Sequence, residues 1–173
     1  MTNCQIKCYL SVRLYLFPFI LIIALLSSCT EYDPEEAFQN GHYERAFELW
    51  RPLARHGDLN AQYYLGLHYY LGLGTTHDMV RAREWFEKAA VHGHPGAQLS
   101  LGTMYQNGEV VKQNFSTAYT WYYASAMQGN KLAPKKINML FEQKKLFPNQ
   151  IHFAELQAKP YIMHPIITDE SQP

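Results

Sequence analysis

Cysteine is nearly absent from this chain of 173 residues, and its three cysteines, Cys4, Cys8 and Cys29, all precede residue 30. A disulfide scaffold, a thiolate zinc site and a cysteine nucleophile are therefore excluded from the rest of the chain. An excess of charge of one sign is lacking as well, because 15 Lys and Arg balance 15 Asp and Glu. This balance excludes the basic surface expected of a nucleic-acid-binding protein.

A run long enough to span a membrane is also lacking. The uninterrupted apolar stretch Leu14 to Leu26 has 13 residues, whereas a helix needs about 20 to cross a bilayer. The stretch follows a segment that contains Lys7 and Arg13 and no acidic residue, and small residues come after it. This order is typical of a secretory signal peptide.

The segment Leu26-Ser27-Ser28-Cys29 resembles the lipobox of bacterial lipoprotein precursors. The resemblance implies cleavage before Cys29, diacylation of its thiol and acylation of the new amino group; a plain N-terminal anchor is the alternative. Thr30 rather than Asp follows the cysteine. By resemblance to the enterobacterial sorting rule, this implies an outer-membrane lipoprotein that faces the periplasm. Several acyl chains exceed the two signals that stable membrane anchoring requires.

The remainder of the chain repeats itself with a period of 36 residues. Residues 61–93 align without a gap on residues 97–129. The identical pairs are Ala61/Ala97, Gln62/Gln98, Leu65/Leu101, Gly66/Gly102, Tyr69/Tyr105, Gly72/Gly108, Ala82/Ala118, Trp85/Trp121, Ala90/Ala126 and Gly93/Gly129. We predict a signal peptide over 1–28, a short tether over 29–32, a degenerate repeat over 33–57, full repeats over 58–93 and 94–129, capping helices over 130–159 and a tail over 160–173.

Each repeat has the apolar spacing of two helices. One stripe follows i, i+3, i+4, i+7 and i+8 from Ala82 to Ala90, and a second helix is marked by apolar residues four apart from Ala61. Most of the aromatic residues in the repeats therefore fall at core positions: Trp50, Tyr69, Trp85, Phe86, Tyr105, Trp121 and Tyr122.

Turn residues recur at the same register. We predict helix N-caps at Asp58, His94 and Asn130, and glycines one residue beyond a helix end at Gly57, Gly93 and Gly129. Gly66 and Gly102 fall in mid-helix, where glycine costs about 1 kcal/mol relative to alanine. Their recurrence predicts that the two helices of a hairpin approach too closely there for a Cβ atom.

The pattern A-x-x-x-L-G-x-x-Y-x-x-G…D/N-x-x-x-A-x-x-W-F/Y…A-x-x-G resembles the Sel-one-like repeat family, relatives of the tetratricopeptide repeat. The resemblance covers about residues 33 to 158. It implies an all-α fold, a right-handed superhelical solenoid of antiparallel helix pairs whose first helices line the concave face. It also implies a protein–protein scaffold rather than an enzyme. Asn138 and Lys144 depart from the glycines expected at their positions, as suits a terminal cap.

Motifs that could carry chemistry are weak. Gly72-Leu73-Gly74 follows a helix rather than a strand, so we interpret it as a turn and not a phosphate loop. His56, His92 and His94 lack a carboxylate or thiolate at ligand spacing, so we expect no metal and no cofactor.

An envelope hydrolase of β-lactamase-like type is a further alternative, since some cysteine-rich secreted relatives were described in this way. Those relatives carry paired cysteines in each repeat, which this chain lacks.

Side chains off the core stripe of the first helices are predicted to face the concave groove. We expect them to bind an unknown protein or peptide rather than nucleic acid or a small molecule. A secreted or surface host-interaction factor is the alternative function. For the tail Pro160–Pro173 the sequence leaves docking and disorder both open. The predicted binding residues are Tyr64, Leu67, His68, Leu71, Ser100, Thr103, Met104 and Asn107.

Overall fold

The computed structural model describes residues 33–162, which form helices and no strand. Eight α-helices and one terminal 3₁₀ turn follow one another along this part of the chain. They are α1 (Pro34–Gln39), α2 (Tyr43–Arg55), α3 (Leu59–Leu71), α4 (Met79–Val91), α5 (Pro95–Asn107), α6 (Phe115–Met127), α7 (Ala133–Glu142), α8 (Pro148–Ala158) and the 3₁₀ turn Lys159–Tyr161.

The helices pack as antiparallel pairs, most extensively α3 with α4 and α5 with α6. In the first pair, the Asp78 N–H at the start of α4 donates to the Tyr69 carbonyl near the end of α3, at 2.9 Å. Each pair also packs on the next, because α4 contacts α5. The core consists of two adjoining clusters, one spanning α1 to α5 with Trp121 and one spanning α6 to α8, and Tyr105 packs against both. This stacking of neighbouring helix pairs is expected of an α-solenoid. Trp85 and Tyr105, which were predicted to lie in the core, are only half-buried at its edge.

The predicted helix boundaries are confirmed in the two full repeats. Asp58 Oδ1 accepts from the Ala61 N–H at 2.7 Å, and His94 Nδ1 accepts from the Ala97 N–H at 3.1 Å. The predicted glycines at the helix ends all have a positive φ, between 85° and 94°. In both full repeats, the residue at the same register therefore caps the N-terminus of the first helix.

The prediction that Asn130 caps α7 is wrong, because α7 begins three residues later, at Ala133. A helix that began at Lys131 would place Pro134 in its fourth position, where a backbone N–H is needed as a donor. The later start places Pro134 in the first turn, where the missing N–H costs nothing. Asn130 Oδ1 accepts instead from the Leu132 N–H at 2.9 Å.

The two mid-helix glycines each face an aromatic ring of the second helix in their pair. A Cβ atom on Gly66 would lie 2.6 Å from two ring carbons of Phe86, and one on Gly102 would lie 2.5 Å from the ring of Tyr122. The predicted close approach is confirmed, and its cause is a ring rather than the partner backbone. Both rings are fully buried.

A left-handed residue ends the first helix of each repeat. Gly72 and Gly108 are the C-caps of α3 and α5, with φ of 69° and 75°. Lys144 occupies the same position one repeat later and takes the same conformation, with φ of 52°. The turn geometry therefore persists into the cap although the favoured glycine is absent.

The C-terminal cap does not repeat the pairing of the helices before it. Both α7 and α8 pack on α6, and the 3₁₀ turn that follows α8 reaches back to α4. The Tyr119 hydroxyl on α6 donates to Glu155 Oε1 on α8 at 3.0 Å, which fixes α8 against α6. The first residues of the predicted tail are thus docked: the ring centroid of Tyr161 lies 4.6 Å from that of Trp121.

The signal peptide 1–28, the acylation site Cys29, the tether 29–32 and the tail beyond Ile162 lie outside the described residues. In the part of the chain that is described, no helix is long and apolar enough to cross a membrane.

Candidate protein-binding surface

One side of α3 and the matching side of α5 lie opposite the most deeply buried stripe of each helix, although Tyr63, Leu67 and Tyr70 on this side still pack against the edge of the core. At 100° per residue, Ala61, Leu65 and Tyr69 define the buried stripe of α3. The opposite side carries Leu67, which is half-buried, and Leu71, which is 54% exposed. On α5 the same positions hold Thr103 and Asn107. We call this surface, made of residues 60, 63, 67, 70 and 71 with 96, 99, 103, 106 and 107, the α3–α5 face.

Two of the eight predicted binding residues are buried, so their assignment to an accessible surface is wrong. His68 is 0% exposed and Met104 is 1% exposed. Each lies seven residues after a core alanine, Ala61 or Ala97, and seven residues turn a helix through almost two full turns. Their side chains therefore point the same way as those alanines, into the core.

Tyr64 and Ser100 lie at the margin between the α3–α5 face and the core. Tyr64 is half-buried because its ring stacks on Trp50 of α2, with centroids 4.7 Å apart and planes 8° apart. The Ser100 hydroxyl donates to the Gly96 carbonyl of its own helix at 3.0 Å. Of the predicted residues, Leu67, Leu71, Thr103 and Asn107 are those that the structure brings together on one accessible side.

Tyr63 belongs to this face and was missed by the sequence prediction. Its ring stacks on the imidazole of His94 with centroids 4.6 Å apart, and His94 Nε2 lies 3.1 Å from Asn60 Oδ1. The contact joins the start of α5 to α3. Tyr63 lies four residues before Leu67, a spacing that places both on one side of the helix, so the sequence did contain the information.

Tyr70 is a second missed residue, and it ties α3 to the loop that follows α5. Its hydroxyl donates to Glu109 Oε2 at 3.1 Å, while Asn107 Nδ2 donates to Glu109 Oε1 at 2.8 Å. Burial, followed by the charge of Glu109 and this hydrogen bond, raises the pKa of the Tyr70 phenol. The carboxylate thus holds two side chains of the face in a fixed arrangement, and a preorganised surface loses less entropy on binding.

Two histidines near this surface are kept neutral by their surroundings. Burial lowers the pKa of His68 below its ordinary 6.5, although its Nδ1–H donates to the Leu73 carbonyl. Burial likewise lowers the pKa of His94. The N-cap contact of His94 needs an unprotonated Nδ1, because that atom accepts from the Ala97 N–H.

Acid will therefore destabilise the fold through these two residues. Below pH 6.5 the unfolded chain binds more protons than the folded chain, so the free energy of unfolding falls as the pH drops through 6.5. We expect His68→Gln to flatten this dependence, measured as the urea midpoint at each pH. Thr76→Gln, at an exposed position without a titratable group, is the control and should leave the slope unchanged. An equal pH slope in wild type and His68→Gln would contradict the assignment to His68.

The described residues contain no cluster of three or more His, Cys, Asp or Glu that could hold a metal ion. His56 Nδ1 donates to the Pro52 carbonyl at 2.7 Å and His92 Nδ1 donates to the Lys88 carbonyl at 2.9 Å. Each imidazole therefore lies in the last turn of its own helix, where a positively polarised group is favoured by the helix dipole.

Comparison of the sequence with models of protein families identifies the repeats. The model of the Sel1 repeat matches three consecutive stretches, residues 37–58, 59–94 and 95–130. The chain belongs to the Sel1 repeat family. Sel1 repeat proteins are in general protein-interaction scaffolds and are typically not catalytic. No curated protein matches the chain.

Solved structures of Sel1 repeat proteins share this fold. One is c5321 from uropathogenic Escherichia coli, a protective antigen with an SLR fold, at 31% identity and a TM-score of 0.67. The match covers 75% of this chain and 28% of c5321. Another is a Sel1 repeat protein from Oxalobacter formigenes, at 25% identity and a TM-score of 0.60, with 70% of this chain and 54% of that one covered. This chain thus spans about a quarter and about half of the two relatives.

Proposed function

We propose that this Sel1 repeat protein is a non-catalytic adaptor that binds a protein or peptide through its α3–α5 face. The observation that carries the proposal is the exposure of Leu71, 54%, beside polar side chains held in place by Glu109. An exposed leucine framed by fixed tyrosine and asparagine groups has the apolar centre and polar rim of a protein interface. The helix pairs bury their core on the opposite side of α3 and α5, so this face is available for a partner.

The affinity for a partner will depend on Leu71. Once a partner has been identified by cross-linking, we expect Leu71→Arg to weaken its binding at least tenfold, because a large charged guanidinium would replace the apolar centre of the interface. Val80→Arg is the matched control, since Val80 is 50% exposed at the start of α4, outside the face. Calorimetric titration of the purified partner measures both variants. Equal affinities for Leu71→Arg and wild type would refute the proposed surface.

We further propose that the protein is anchored by acylated Cys29 in the bacterial outer membrane, facing the periplasm. The lipobox-like segment ending at Cys29 supports this proposal. Incorporation of a labelled palmitate analogue tests it: wild type should carry the label, and Cys29→Ser should not. Label in Cys29→Ser would contradict the anchor.

A second candidate function is that of a surface or secreted host-interaction factor. It is favoured by the 31% identity to c5321, which is a protective antigen. Protease added to intact cells distinguishes the two functions. A periplasmic adaptor is degraded only after the outer membrane is opened, whereas a host-facing factor is degraded or released in intact cells.

A further inference from the structure

The chain fills a groove between its own repeats with its C-terminal turn, Lys159–Ile162. Gln98 Nε2 at the start of α5 donates both to the Ala90 carbonyl of α4, at 3.0 Å, and to the Tyr161 carbonyl, at 2.8 Å. The Tyr161 ring covers the indole of Trp121 at 4.6 Å between centroids. We call Ala90, Gln98 and Trp121 the tail site.

The same three positions recur one repeat earlier as Ala54, Gln62 and Trp85, which we call the matching site. Gln62 Nε2 donates to the Ala54 carbonyl at 3.2 Å, just as Gln98 donates to Ala90. No second acceptor is described for Gln62 Nε2, whereas Gln98 has one in Tyr161. The repeat therefore provides a second copy of the side chains that hold the turn.

The two sites differ in how far they are covered. Gln62 is 8% exposed. The Oε1 atoms of Gln62 and Gln98 are both buried without a hydrogen-bond partner among the described residues, so the sites differ in the second acceptor of Nε2 and not in this atom. Gln98, which the turn covers, is 0% exposed. The indoles differ in the same direction, since Trp85 is half-buried and Trp121 is 8% exposed. The matching site is thus more accessible than the tail site.

One residue partly covers the indole of the matching site. Lys88 Nζ lies 3.9 Å from the ring centroid of Trp85, and the corresponding residue beside Trp121 is Ala124. A lysine that covers an indole can withdraw, because its stem is flexible and its exposed ammonium is readily rehydrated. Lys88 therefore occupies the indole in place of an aromatic side chain and can be displaced by one.

We propose that the matching site binds an extended segment of a partner protein that carries an aromatic residue. The aromatic ring of the segment packs on Trp85, displacing Lys88, and the carbonyl of the same residue accepts from Gln62 Nε2. The occupant is argued from the tail site, where Tyr161 makes both contacts with equivalent residues. This site lies at α2, α3 and α4 and is separate from the α3–α5 face.

A synthetic peptide with the sequence of residues 156–162, LQAKPYI, is the probe, titrated by fluorescence anisotropy into the full-length chain in detergent. We expect saturable binding of one peptide. Trp85→Ala should weaken this binding at least tenfold, because it removes the ring contact. Gln62→Ala should weaken it about fivefold, because it removes one hydrogen bond. Lys88→Ala should tighten it about threefold by removing the competing cation–π contact. The peptide LQAKPAI, without the tyrosine, should not bind.

Trp121→Ala and Gln98→Ala are the matched controls, because they alter the tail site and leave the side chains of the matching site unchanged. Binding that survives in these variants supports the proposal, and thermal melting of each variant confirms that it is folded. Three results would overturn the proposal. In the first, the peptide no longer binds the tail-site variants but still binds Trp85→Ala as tightly as wild type. In the second, the peptide does not bind even Lys88→Ala. In the third, the full-length chain self-associates and Trp85→Ala abolishes the self-association.

Discussion

Replacing Phe86 with alanine will lower the free energy of unfolding by about 3–5 kcal/mol, the usual cost of truncating a buried aromatic residue. Phe86 is 0% exposed, and its ring fills the space over Gly66 in α3. Its centroid also lies 6.0 Å from the ring of Tyr63 and 6.2 Å from that of Tyr70. The cavity would therefore open beneath the α3–α5 face as well as between α3 and α4.

Urea unfolding followed by circular dichroism measures this loss. Phe153→Ala is the matched control, because Phe153 is 58% exposed on α8 and its truncation should change stability by less than about 0.5 kcal/mol. If Phe86→Ala cost no more than Phe153→Ala, the packing of α3 on α4 would not depend on this ring.

Replacing Gly102 with valine will cost about 3 kcal/mol, at the upper end of the range for overpacking a core. Its Cβ atom would lie 2.5 Å from two ring carbons of Tyr122. That ring cannot easily move, because the Tyr122 hydroxyl donates to Gln106 Oε1 at 2.6 Å and its oxygen lies 3.3 Å from Thr103 Oγ1. Gly102→Ala should cost less, since alanine regains about 1 kcal/mol of helix propensity.

The equivalent glycine gives an internal comparison for this prediction. Gly66 faces Phe86, which has no hydroxyl to fix it. We therefore expect Gly66→Val to cost less than Gly102→Val in the same urea experiment. Ser100→Val, on the helix that contains Gly102, controls for placing a β-branched residue in α5 and should cost below about 1 kcal/mol. A Gly102→Val variant as stable as Ser100→Val would contradict the close contact with Tyr122.

Features that depend on neighbouring residues could be predicted from the sequence. Asp58 and His94 cap their helices, and Gly66 and Gly102 admit a ring, because short-range geometry and repetition determine these contacts. Asn130 failed as a cap because Pro134, four residues on, imposed a different helix start. Repeat register alone gave the wrong answer where a local backbone constraint opposed it.

The binding surface was predicted only in part, because residues off the core stripe were treated as exposed. A stripe defined by residues four apart from Ala61 and Ala97 leaves out His68 and Met104. These two residues lie seven positions after the alanines, however, and therefore point in the same direction, into the core. Tyr70 was overlooked for a different reason. Its role depends on Glu109, 39 residues away, and no local pattern indicates that contact.

The C-terminal turn was beyond reach of the sequence for the same reason. Tyr161 meets Gln98 across 63 residues. The repeat register predicts a further helix pair, but α8 packs on α6 instead of pairing with α7 as α6 pairs with α5. The residues of the C-terminal turn have no helical period, so the repeat pattern does not predict where this turn docks.

The most direct test of the proposed adaptor is site-specific photo-cross-linking of the full-length chain in its own membrane. A photoreactive phenylalanine at Leu71 or Asn107 should give an adduct with one and the same protein. The same group at Val80, or at Phe147, which is 68% exposed on the C-terminal cap, should give no such adduct. Adducts with that protein at Val80 or Phe147, and none at Leu71 and Asn107, would contradict binding through the α3–α5 face.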